Sequence, residues 1–400
     1  MKCRVELSKC LNNVIDHRGL TPKKLGGSWA DTGYRAISAK NIKDGKLVQQ
    51  DSIRFVCESM YRKWMPEEVS KGDIILTSEA PFGEAIYWNS AEKIVLSQRV
   101  FGLKVNPEVC ESRYLYYWIK SPEFQGELRS RATGTTVVGL RQPELLKCHV
   151  NLPSLERQRQ ISEVLAAIDE FIQINNQIND YLATLVDLEF SKRFSSSVST
   201  TSLKNVLEIS TKSLKPQQHV GETWEHYSIP AFDEMHWPIF ELADGIKSNK
   251  YIVDSSSILI SKLNPSIKRM WIPVCLTDKA VCSTEFIVYK PLEPRHKSFY
   301  CAAINANNFT AFLLEHVTGS TGSRQRVQPK ATLDYPIPNP CRTAIEAFCD
   351  FADPIYRQIE INEIESQHLG SLRDALLPKL MSGEIDVSKV DLTQLNNHFA

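Results

Sequence analysis

Ten cysteines, nine histidines and 47 acidic side chains are material enough for metal or nucleophilic chemistry, but their spacing supplies neither. No CxxC pair occurs and no His/Cys/Asp group has metal-ligand spacing, so no metal site and no catalytic residue is assigned. A GxxxxGK[ST] phosphate loop is absent, which argues against nucleotide hydrolysis by this chain. An adenine-N6 methylase is expected to carry an Asn/Asp-Pro-Pro-aromatic loop. The nearest match, Asn264-Pro265-Ser266, lacks the second proline and the aromatic and reads as a turn. Glu67-Glu68 and Asp233-Glu234 read as solvated turns rather than nuclease carboxylates.

What remains is chemistry for contacting a polyanion. Gln98 and Arg99 stand at a strand start and have the types that suit adenine and guanine edges, the alternative being a surface salt bridge. Arg131, Thr133, Thr135, Thr136 and Arg141 surround one Thr-Gly loop, and Thr318, Ser320, Ser323, Arg324 and Arg326 surround a second. Hydroxyls and guanidiniums suit phosphate contact; the competing reading is loop capping with a salt bridge to the helix side. Lys40, Asn41 and Lys43 form a further basic loop, as do Lys262, Asn264, Lys268 and Arg269. Charge is partitioned accordingly. Residues 1–150 hold 23 Lys+Arg against 17 Asp+Glu and residues 200–340 hold 15 against 13. Residues 151–199 hold 4 against 7 and residues 341–400 hold 5 against 10. Basic globules joined by acidic helices fit polyanion contact by the globules alone.

These loops recur because the chain repeats itself. Ile168, Ile172, Ile174, Asn175, Leu182 and Leu185 become Ile355, Ile359, Ile361, Asn362, Leu369 and Leu372 on a shift of 187 residues. Most of the spacings are threes, fours and sevens, the period of one helix face. The globules repeat too: Ile74-Ile75-Leu76 matches Ile258-Leu259-Ile260, Ser97 to Lys104 matches Ser283 to Lys290, and the Thr-Gly loops are followed at one spacing by Arg141 and Arg326. The first long helix is expected from about Glu156 to Phe190, roughly 50 Å at 1.5 Å per residue. The second is expected to start at Asp353-Pro354, an N-cap and first-turn pair, after a short helix over 343–352, and to end or kink at Leu377-Pro378. The predicted architecture is mixed α/β: two similar globules (1–152 and 196–340) separated by two long antiparallel helices (153–195 and 341–385) forming a coiled coil, with a tail at 386–400. Its seam is assigned to Ile168, Ile172, Asn175, Leu182, Ile355, Ile359, Asn362 and Leu369, the asparagines fixing register. No run of about 18 apolar residues and no apolar leader occurs, so a cytoplasmic location without membrane contact is expected.

Leu152-Pro153-Ser154-Leu155-Glu156-Arg157-Gln158-Arg159-Gln160-Ile161 resembles the P-x-L-x-E-Q-x-x-I signature of type I restriction-modification specificity subunits. Leu376-Leu377-Pro378-Lys379-Leu380-Met381-Ser382-Gly383-Glu384-Ile385 is similar to their usual ending, and the Thr-Gly loops match as well. Pro340-Cys341-Arg342-Thr343-Ala344-Ile345 lacks the Glu and Gln of the first signature. The resemblance, over about residues 5–387, implies a protein without chemistry of its own. Two target recognition domains would each read one half of a bipartite site in double-stranded DNA. The helices would space them and seat two modification (methyltransferase) subunits and the restriction subunits. S-adenosylmethionine and ATP/Mg are implied in those partners, and no cofactor in this chain. Rival readings are a coiled-coil adaptor or silent specificity protein without DNA selectivity, and a stand-alone DNA-modifying enzyme.

Overall fold

The computed structural model describes residues 3–134, 138–195, 199–318 and 325–387. It divides into two compact units, Met1–Gln173 with Ser366–Ala400, and Ile174–Glu365.

In the first unit a four-stranded antiparallel sheet runs in the order Leu11–Ile15, Val100–Val105, Ile74–Thr77, Ala85–Tyr87. Ile74–Leu76 and Val100–Leu103 carry no charged residue because both faces are covered, and the charged Lys104 follows where the second strand becomes half-buried. One cover is the helix Ser112–Lys120, whose Tyr114, Leu115, Trp118 and Ile119 are fully buried and whose first amides are capped by the Glu111 carboxylate. The other is a three-stranded sheet in which Tyr34–Ile37 pairs antiparallel with Arg54–Val56 and parallel with Val95–Leu96. The Gln98–Arg99 turn carries the chain from the small sheet into the large one. Cys3–Glu6 pairs with His149–Leu152 and closes the globule where the long helix leaves.

The second unit repeats this plan. Leu207–Ser210, Phe286–Pro291, Ile258–Ser261 and Met270–Trp271 form the four-stranded sheet in the same order. The second sheet has five strands, and its Thr223–Tyr227 and Ala280–Ser283 are parallel, as Tyr34–Ile37 and Val95–Leu96 are. Thr200–Ser202 closes on Pro336–Pro338.

The long helices are longer than their sequence signals. The first spans Leu155–Phe194 and the second Arg342–Ser382, 40 and 41 residues. The expected start at Asp353 is corrected, as is an end at Pro378, one of the two outcomes expected there, since the second helix continues through Pro354 and Pro378. A mid-helix proline removes one backbone bond and crowds the preceding turn. Here the turns around Pro354 are held by burial of Phe348, Cys349 and Ala352, and those around Pro378 by Leu377, Leu380 and Met381. Tertiary packing outweighs the local signal.

Within each unit the helices run antiparallel. In the second, Asn175 Nδ2 donates to Glu365 Oε2 (2.9 Å), Asn362 Nδ2 to Asn179 Oδ1 (2.8 Å) and Arg193 to the Ala347 carbonyl (3.2 Å). In the first, Arg373 pairs with Asp169 (2.7 Å) and Arg157 with Asp386 (3.4 Å). Of the seam residues, Ile168, Asn175, Asn362 and Leu369 are buried, and Ile172, Leu182, Ile355 and Ile359 half-buried. The remaining repeat identities, Ile174, Leu185, Ile361 and Leu372, are exposed. Most of the tail, 388–400, lies outside the described residues.

Candidate nucleic-acid interface

The surface best suited to a polyanion lies where the two sheets of the first unit meet. A cavity of about 300 Å³ opens there, lined by Trp29, Lys40, Asn41, Arg54, Gln98 and Arg99 among others. Lys40, Arg54, Gln98 and Arg99 are exposed, so the rim is cationic. Arg54 lies 5.2 Å from the Trp29 ring centre, a cation-π contact that orients its guanidinium. The Gln98–Arg99 turn is fixed by backbone bonds on both sides: Ala39 N–H donates to the Gln98 carbonyl (3.1 Å) and Ser78 N–H to that of Arg99 (2.8 Å). Arg99 adopts a left-handed backbone (φ 65°), uncommon for a residue with a β-carbon. Its Nε bonds Glu79 at 2.9 Å.

Several predicted contacts have structural work instead, and these are corrections. Asn41 is fully buried; its Oδ1 accepts from Ser38 and its Nδ2 faces the carbonyls of Val48 and Gln49, so it frames the cavity floor from within. Arg131 forks onto Glu127 (2.9 and 3.1 Å), which also takes the His149 amide (2.9 Å), tying its helix to the closing strand. Arg269 is buried and clamps Asp233 with two bonds of 2.6 and 2.8 Å. For Arg131 this is the salt bridge to the helix side weighed against phosphate contact.

Other candidates stay on the surface. Thr133 is exposed and bridges to Gly139, Arg141 is exposed at a helix N-cap, and Lys43 and Lys262 are half-buried. Asn264 takes a left-handed turn (φ 49°). Lys268 is exposed and donates to the Asn305 carbonyl, and partial burial lowers its pKa. Thr318 is exposed and Arg326 forks onto Glu285 (3.0 and 3.1 Å). Thr135, Thr136, Ser320, Ser323 and Arg324 lie outside the described residues. The structure thus gathers Lys40, Gln98 and Arg99 at one cavity and places Thr318 and Arg326 side by side. Trp29, Arg54, Glu79 and Glu285 join these sites without any motif; only strand alternation in Arg54-Phe55-Val56 points Arg54 outward.

Among the described residues no group of three or more His, Cys, Asp or Glu is arranged to hold a metal ion, and no helix is long and apolar enough to cross a membrane.

Residues 11–184 match the type I restriction modification DNA specificity domain family. The type I restriction enzyme MjaIX specificity subunit of Methanocaldococcus jannaschii is 25% identical over 93% of this chain and 87% of its own length. The MjaVIII specificity subunit of the same organism is 28% identical over 154 residues, 37% of this chain and 36% of that protein. The solved S subunit of the type-I restriction-modification system from M. genitalium has the same fold, with a TM-score of 0.57 at 15% identity over 95% of this chain and 96% of that one.

Proposed function

Because this chain belongs to the specificity-subunit family of type I restriction-modification systems, we propose that each of its two units reads one half of a bipartite site in double-stranded DNA. The family supplies the DNA specificity of its systems and acts beside their other subunits. The observation that carries the bipartite reading is the repeated sheet order of the two units, each presenting an exposed arginine paired with a glutamate. One scaffold used twice in one chain addresses two similar targets.

In this reading the helices set the spacing between half-sites. Forty residues correspond to roughly 60 Å, or about 17 base pairs at 3.4 Å each. The exposed apolar residues Ile174, Leu185, Ile361 and Leu372 form two sets related by the 187-residue repeat. Duplicate apolar positions fit two copies of one partner, here two methyltransferase subunits, with restriction subunits added to the same complex. Adenine methylation using S-adenosylmethionine, and cleavage using ATP and Mg²⁺, belong to those partners, and the assembly acts in the cytoplasm. This chain contributes binding and placement.

The test is single-molecule methylation mapping of DNA from cells expressing the chain with its cognate modification subunit, against cells lacking the chain. A new bipartite motif with N6-methyladenine in both halves is expected. A stable complex that creates no such motif refutes the reading.

A further inference from the structure

The internal repeat allows one corner of the two units to be compared atom by atom. In the first, Ser78 N–H donates to the Arg99 carbonyl (2.8 Å) and Leu140 N–H to that of Ser78 (2.9 Å). In the second, Lys262 N–H donates to the Glu285 carbonyl (3.0 Å) and Val327 N–H to that of Lys262 (3.0 Å). The backbone therefore equates Arg99 with Glu285, Glu79 with Leu263 and Gly139 with Arg326. The loop bridges agree, Thr133 with Gly139 and Thr318 with Arg326. Arg326 is thus the structural counterpart of Gly139, not of Arg141, whatever the sequence spacing.

Both corners hold one arginine-glutamate pair, built from opposite sides. Arg99 comes from the strand turn and is held by Glu79, which fits because Gly139 has no side chain: a β-carbon there would lie 3.1 Å from Glu79 Cγ. In the second unit the acidic partner, Glu285, occupies the turn and the arginine, Arg326, stands at the strand position equivalent to Gly139. In both pairs the arginine is the more exposed member, 51% against 33% and 47% against 29%. Exposed pairs of this kind contribute little to stability, so stability does not account for either pair.

We propose that Arg99 and Arg326 each read a guanine, one in each half-site, and that Glu79 and Glu285 are the positioning residues that aim them. This rests on the bipartite reading above and deepens it. An arginine fork matches the O6 and N7 acceptors of guanine in the major groove. A carboxylate holding part of the guanidinium leaves its remaining N–H donors in a set direction. In the first unit the cavity beside Arg99, with Lys40 and Arg54 on its rim, supplies the phosphate-attracting surround. Because the two arginines enter from opposite sides of an equivalent corner, their guanines occupy different positions within the two half-sites.

The test is methylation mapping with the full chain and its modification subunit, comparing wild type with Arg99→Lys, Arg326→Lys, Glu79→Gln and Glu285→Gln. Lysine keeps the charge and loses the fork. Arg99→Lys is expected to relax one G·C position in one half-site by about 10- to 100-fold, and Arg326→Lys one position in the other. Each glutamine variant is expected to relax the same position as its arginine, more weakly. Co-purification of the complex confirms that each variant folds, and Arg129→Lys, outside the pairs, is expected to leave the motif unchanged. The proposal is overturned if both arginine variants keep the wild-type motif, if they alter the same half-site, or if methylation falls uniformly without a change of motif, as loss of a phosphate contact would do. A wild-type bipartite motif lacking guanine in either half overturns this proposal and leaves the family reading standing; no bipartite motif at all overturns both.

Discussion

Phe348→Ala tests how the second unit is fastened to the helices. Phe348 is fully buried, with ring centres 5.5 Å from Phe190, 5.7 Å from Phe194 and 6.0 Å from Phe299. Those rings come from the end of the first long helix and from the helix Lys297–Asn305. The one side chain thus joins the start of the second long helix to the first and to the globule. Its truncation removes the ring's burial and the edge-on contacts, and three elements must move together to close the void. That places the cost at about 3–5 kcal/mol, the range for buried Phe→Ala. Phe348→Leu, which keeps most of the volume, should cost about 1 kcal/mol.

The assay is hydrogen exchange resolved by peptide, read at residues 297–305 and 342–352 of the second unit and at 155–166 and 376–382 of the first. Protection in the second unit should fall by the stated amount, while protection in the first, whose helix ends pack Ile161, Leu377 and Met381 on their own globule, stays as it is. The DNA motif should lose definition in one half only. A stability change under about 1 kcal/mol for the alanine variant, or an equal loss of protection at Ile161, Leu377 and Met381, refutes the reasoning.

Three further outcomes follow from buried polar groups. Burial holds the Glu363 carboxyl at a pKa of about 7, against 4.5 unperturbed. A raised carboxyl pKa stabilises the fold below the unfolded value and loses that contribution as pH rises from 4.5 to 7, by at most about 3 kcal/mol at 1.36 per unit. His236, 3.7 Å away and itself lowered by burial, opposes this below pH 6.5; Glu363→Gln should remove the loss above that pH in thermal melts, and an unchanged pH profile contradicts the assignment. Asn362→Leu should cost about 1–3 kcal/mol in urea unfolding by stranding Asn179, and adding Asn179→Leu should recover part of it; no recovery speaks against the pairing. Arg269→Ala should destabilise the second unit by about 2 kcal/mol, toward the low side because Asp233 is half exposed, without altering the methylation motif. A changed base preference would return Arg269 to the interface.

What the sequence made legible follows from how strongly a pattern constrains the backbone. The strands Ile74–Thr77, Val100–Val105 and Ile258–Ser261 are short, mostly apolar runs bounded by turns, and they lie where the pattern places them. The helix seam was legible because Ile, Asn and Leu recur at one offset on one face. The start of the second long helix was not, because Asp353-Pro354 is a strong local signal and the packing of Phe348 and Ala352 that overrides it is long-range. At the candidate interface, residue type alone did not separate Arg99 from Arg131. Both are arginines near turns, and only the fold shows one on an exposed rim and the other forked onto Glu127. Glu79 and Glu285 had no signal, since their partners lie 20 and 41 residues away in sequence and meet only when the sheet closes.

The repeat is uneven in a way that physical constraint explains. At Asn175 and Asn362 the two copies are identical, because each lies in the seam between the same two helices and must satisfy a buried amide there. At the foot of each globule they differ. Ile161, Leu377 and Met381 pack in the first unit, while the positions 187 residues away, Phe348, Phe190 and Phe194, pack in the second. Core volume can be filled in more than one way so long as its neighbours differ with it, so this layer differs between the units as a set. The arginine-glutamate corners show the same coupled change at the surface, where Gly139 makes room for Glu79 and Leu263 faces Arg326. A single residue moved between equivalent positions is therefore expected to fit poorly, whereas a whole globule carries its own core layer and its own corner. On that basis one unit of this chain is expected to be exchangeable as a block while the seam is kept.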